Sequence, residues 1–127
     1  MTTPFESLRQ TLVAHALATL ANPQPSIQAQ AIVTLQYLGS KDQLQLLLPY
    51  LQPNISTEVR LNAILAVAVI AGLSVLELES FQSCLLDDDP VIRWKAEEIL
   101  ELMNAGQSLV LPLPISPSQD DFIAIIS

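Results

Sequence analysis

Asp87, Asp88 and Asp89 stand side by side ahead of Pro90, and neighbouring carboxylates have recognised chemical uses. Their oxygens suit a hard cation such as Ca²⁺ or Mg²⁺, and acids in a row can divide acid and base work. A calcium loop, however, alternates its ligands and turns on a glycine; neither occurs around residue 88. A plainer chemistry accounts for the run. Carboxylates ahead of a helix accept its free backbone N–H groups and favour its positive end, and proline is tolerated in the first turn. The three acids are expected to start a helix and to hold no metal or cofactor.

The other reactive residues read in the same plain way. His15, the one histidine, lies in "LVAHALATL" and is expected at or near a helix surface. Cys84, the one cysteine, has apolar neighbours and no histidine nearby in sequence, so an inert core thiol is expected. A lone cysteine forms no internal disulfide and fits a reducing compartment. Glu77, Glu79, Glu97, Glu98 and Glu101 read as helix-surface charges, with Arg93 and Glu97 spaced for a surface ion pair. No phosphate-binding glycine loop, zinc pattern or nucleophile elbow is present. Three glycines leave little material for an active-site loop, and no catalysis is expected of this chain alone.

The elements that carry these residues repeat. The stretches "NPQPSIQAQAIVTLQYLG", "NISTEVRLNAILAVAVIAG" and "DDDPVIRWKAEEILELMNAG" begin at Asn22, Asn54 and Asp87. Each opens on Asn or Asp, reaches Gln28, Arg60 or Arg93 after a branched aliphatic residue, and carries Ala31, Ala63 or Ala96 three positions on. The chain's three glycines, Gly39, Gly72 and Gly106, all close these stretches. An Asn or Asp cap at the start and a left-handed glycine at the end make each stretch one helix. Upstream segments 4–20, 41–52 and 75–86 supply a first helix each, with leucines at helical spacing such as Leu44, Leu47, Leu48 and Leu51.

The succession of turn acid, proline, branched aliphatic with arginine, then alanine resembles a HEAT repeat, with "DDDPVIRWKAEEIL" its best copy. The resemblance covers roughly residues 4–105. It implies an all-α fold, a short right-handed alpha-alpha superhelix of three helical hairpins, about 4–39, 41–72 and 75–105. Residues 1–105 form that domain, and 106–127 a proline-containing extended tail. The resemblance also implies bonds between turn acids and helix arginines within and between repeats. Asp87 or Asp89 would meet Arg93, and Arg60 would look to the third repeat. Gln28 interrupts that series.

Composition bounds the partners. The 127 residues are half apolar with few aromatics, so the core is aliphatic. Thirteen acids against five bases give a net charge of −8, which repels nucleic acid and anionic membranes. The start "MTTPFESL" lacks the features of a secretory signal. The apolar run 63–73 falls short of the roughly 20 residues that span a bilayer. A cytoplasmic protein without membrane insertion is expected.

Two surfaces stand out. Positions one, five and eight past the arginine site should face away from the hairpin core. They read Ala29, Val33, Gln36; then Leu61, Leu65, Ala68; then Trp94, Glu98, Glu101. Apolar Leu61 and Leu65 beside Trp94 would mark a binding face if open. In the tail, Pro112, Pro114 and Pro117 exclude an ordinary helix, and "DDFIAIIS" offers Phe122, Ile123, Ile125 and Ile126 as anchors. The tail could cover its own domain, dock on a second copy or another protein, or stay unfolded. The leading functional reading is a non-catalytic adaptor, scaffold or assembly factor that binds another protein. A phycobilin-lyase-like subunit that handles bilins, and a homo-oligomer built by tail exchange, are the alternatives.

Overall fold

Among the described residues, four long helices carry the fold, and short local bonds start each of them. A computed structural model describes residues 3–106. Helix α1 (Pro4–Thr19) opens on Thr3, whose hydroxyl accepts the Glu6 N–H at 3.0 Å. Helix α2 (Pro25–Leu38) also begins with proline. The middle of the chain then breaks into short pieces. A 3₁₀ turn at Lys41–Gln43, α3 (Leu44–Leu47) and a second 3₁₀ turn at Leu48–Leu51 replace the single helix expected over 41–52. Pro49 explains the break, because it has no N–H to give and its ring crowds the carbonyl four residues back.

Helix α4 (Thr57–Ala71) runs on into a 3₁₀ segment, Gly72–Glu77, and then α5 (Glu79–Cys84) and α6 (Pro90–Asn104) complete the described part. The helix expected over 75–86 is thus also shorter than its leucines suggested. Gly72 leaves helical geometry at φ 63°, and the Ser74 hydroxyl donates to the Ala71 carbonyl at 2.6 Å, competing with the helical ladder.

The repeat-opening residues are not the caps that the sequence pattern implied. The cap falls two residues later each time: Gln24, Ser56 and Asp89. Asn22 and Asp87 instead accept the N–H of residues 24 and 89, both at 2.9 Å, and so turn the chain into its helix. Ser56 accepts from Val59 and Asp89 from Val91, whereas Gln24 makes no side-chain cap. Gly72 and Gly106 hold the expected positive φ, but Gly39 sits in an extended conformation at φ −75°, ψ 165°. What Gly39 supplies is room. A Cβ there would lie 2.5 Å from the Leu35 carbonyl oxygen and 3.4 Å from Ile70 Cδ1 on α4.

Three helical hairpins stack side by side: α1 with α2, the broken α3 segment with α4, and α5 with α6. Helix α4 lies between α2 and α6. It buries Val59, Ala63, Ile64, Ala66, Val67, Ala68 and Ala71, an apolar content spread around the cylinder as a sandwiched helix requires. Helix α6 buries one stripe, Ile92, Ala96, Ile99 and Met103. The helical run Thr57–Glu77 spans 21 residues at a mean hydropathy of 2.2, so by length and composition it could cross a membrane. The 63–73 run alone understated it. Half of its most apolar window is buried inside the stack, which gives that composition a packing cause.

Candidate protein-binding face

The acids that opened the chemical question serve the joint between the second and third hairpins. Arg60 on α4 donates Nε to the Leu51 carbonyl at 3.2 Å and grips both oxygens of Asp87 with its two Nη groups, one of them at 3.2 Å. The two side chains are 4 % and 10 % exposed. Burial opposes the Arg60 charge, but the hydrogen bond and charge of Asp87 outweigh it, and the net direction of its pKa is up. The Asp87 carboxyl is held below the usual range, chiefly by the Arg60 hydrogen bond. Thr57 donates to Asp89 at 2.7 Å, and this bond with the Val91 N–H lowers the Asp89 pKa too. Asp88 is exposed.

Arg93 was expected to meet the carboxylate of Asp87 or Asp89; it donates instead to the Asp87 backbone carbonyl. The carboxylate is already held by Arg60, which reaches it from the preceding repeat. Nor does Arg93 pair with Glu97: the ion pair on α6 is Lys95 with Glu98 at 2.9 Å. Gln28 donates to the Leu20 carbonyl at 3.1 Å, matching the bond of Arg60 to Leu51 without the link to the next repeat.

The face proposed from repeat positions is only partly open. Ala29 and Ala68 are buried, and Val33, Leu61 and Leu65 are half-buried, because α4 has a helix on either side. Leu61 packs against the core. Trp94, on the last described helix, is 58 % exposed, with the Lys95 ammonium 5.7 Å from its ring. Val91, three residues before Trp94, is exposed on the same stripe and was missed; its helical spacing from Trp94 was the available signal. Glu98 and Glu101 continue that stripe. The tail anchors Phe122, Ile123, Ile125 and Ile126 lie outside the described residues.

A second feature that the sequence did not suggest is an open groove of about 510 Å³ between the 51–53 segment and α5. Its lining includes Glu79, Ser80, Ser83, Asp87 and Asp88. Cys84 borders it, but the side chain is 1 % exposed, its Sγ donates to the Ser80 carbonyl, and burial pushes its pKa up, so it offers no thiolate. His15 is exposed on α1. Among the described residues, no group of three or more His, Cys, Asp or Glu side chains is arranged to hold a metal.

Stacked helical hairpins, joined by an arginine–aspartate pair across neighbours and without strands among the described residues, define a helical-repeat protein. The family model for HEAT repeats matches residues 13–101, and the chain belongs to that family. No curated protein and no solved structure matches the chain.

Proposed function

We propose that this chain is a non-catalytic protein-interaction module, a small adaptor, scaffold or assembly factor of the cytoplasm. It holds a partner protein on the face formed by Leu61, Leu65, Val91 and Trp94. The tail residues Phe122, Ile123, Ile125 and Ile126 supply a second contact. The observation that carries this reading is Trp94, left 58 % exposed with exposed Val91 three residues before it on α6. Leu61 and Leu65 of α4, the helix that α6 packs against, stay only half-buried. Large aromatic side chains with an apolar surround are the usual anchors of protein interfaces. Membership of the HEAT-repeat family supports a binding role at the level of the fold.

The test is affinity capture from lysate with wild type, Trp94→Ala and Leu65→Glu, followed by mass spectrometry. Loss of an anchoring tryptophan costs about 2 kcal/mol or more, so retention should fall at least tenfold for Trp94→Ala. Leu65→Glu should also weaken capture while circular dichroism stays near wild type. A partner retained equally by wild type and Trp94→Ala moves the site off this face. A parallel capture with a chain ended at residue 105 then shows whether the tail holds it.

A further inference from the structure

We propose that the outer face of α1 is an interface at which two copies of this chain pair antiparallel about a twofold axis. Phe5, Leu8 and Leu12 are 71 %, 57 % and 41 % exposed, and His15 and Thr19 extend the same line. Their spacing alternates three and four residues, the seam of a helix that meets another helix. Beside that seam, Ser7, Thr11, Ala14 and Ala18 are exposed, small and uncharged. The only charges of α1, Glu6 and Arg9, bond to each other at 2.6 and 2.9 Å. The residues α1 buries, Val13 and Ala16, are not part of this line. Helix α1 thus has two apolar faces and uses one.

The seam is bulky at its start and hollow at its end. Beside the second half of α1, a cavity of about 200 Å³ lies between α1 and α2, lined by Leu12, His15, Thr19, Ile27, Gln30 and Thr34 among others. No residue of α4 or α6 lines it. An antiparallel partner centred near Leu12 would place its Phe5 and Leu8 over this hollow and receive the same in return. Such reciprocity is what a twofold interface requires.

Charge selects the same end. Residues 3–72 carry three acids and three bases, whereas 73–106 carry eight acids against Arg93 and Lys95. A molecule of net charge −8 therefore meets its copy with least repulsion through the neutral first hairpin. The alternative occupant, the chain's own "DDFIAIIS" segment, would bring Asp120 and Asp121 against a helix whose one arginine is already paired.

Sedimentation velocity on the full chain tests this, over a concentration series reaching about 200 µM, with an expected dissociation constant on the order of 10 µM. Phe5→Ala should weaken the dimer at least tenfold, and Leu8→Glu should leave monomer throughout, both with wild-type helix content. Leu12→Cys should cross-link to its own copy under mild oxidation, whereas Phe5→Cys should not. Trp94→Ala should leave the dimer intact. A wild-type chain that stays monomeric over the series overturns the proposal. So does a dimer indifferent to Phe5→Ala and Leu8→Glu, and Phe5→Cys cross-linking as readily as Leu12→Cys overturns the antiparallel order.

Discussion

Asp87 does three tasks with one residue: its carboxylate receives Arg60, an oxygen of it also takes the Asp89 N–H, and its backbone carbonyl takes Arg93. Removing it leaves the enclosed Arg60 guanidinium without its counter-charge. Breaking one side of such a pair costs about 3 kcal/mol or somewhat more, so Asp87→Ala should lower the unfolding free energy from urea titration by that amount. The double variant Arg60→Met with Asp87→Leu should lose less than Asp87→Ala alone, because no charge is then stranded. Equal losses would mean that Arg60 tolerates solitude. The lowered pKa values give a pH dependence with a definite sign. Glu6, Asp87 and Asp89 all bind protons less readily folded than unfolded. Their contribution is complete above the unfolded carboxylate range of about 4 and drains away as pH falls through the lower folded values. Urea midpoints should hold between pH 7 and pH 5 and drop below about pH 4, with a shallower acid limb in Asp87→Ala. A midpoint that rises on acidification would contradict the paired carboxylates.

Among elements, the two glycines that close the first two repeats show what a shared letter conceals. Gly72 needs its positive φ, whereas Gly39 needs the absence of a Cβ beside the Leu35 carbonyl and Ile70. Gly39→Ala must press its methyl group on the Leu35 carbonyl at the end of α2, and it should cost about 1–3 kcal/mol of unfolding free energy in a urea titration. A neutral outcome would show that the α2 end yields. The repeat itself was legible because helix starts, helix ends and the Arg60 link are local or nearly so. Asn22, Asn54 and Asp87 marked the turns correctly in register, though each lies two residues before its cap. Exposure was less legible. Leu8 and Leu12 have helical spacing, but so do Val13 and Ala16, and only packing against α2 decides which line is inside. Ala29 and Trp94 hold the same repeat position, yet one is buried and the other, on the last described helix, is exposed. Burial of that kind is set by the neighbouring repeat, which no single helix records.

Over the whole molecule, charge is divided as unevenly as packing. Eight of the thirteen acids fall in residues 73–106, against two of the five bases, while residues 3–72 balance. Like charges gathered on one hairpin repel when it folds, and the separation grows on unfolding, so their net effect opposes the compact state. The close pairs act the other way, but Arg60 with Asp87 is enclosed and little reached by salt. Added salt therefore weakens the repulsion more than the attraction. Between about 0.01 M and 0.15 M ionic strength the screening length contracts from roughly 30 Å to 8 Å, shorter than a helical hairpin. Thermal unfolding followed by circular dichroism should then move upward by several degrees, the shift expected of about 1 kcal/mol in a domain near 100 residues. Glu97→Gln with Glu101→Gln, both exposed on α6, should raise the low-salt midpoint and shrink the salt response. A melting temperature that falls with salt would show that exposed pairs such as Lys95 with Glu98 outweigh the surplus of acids.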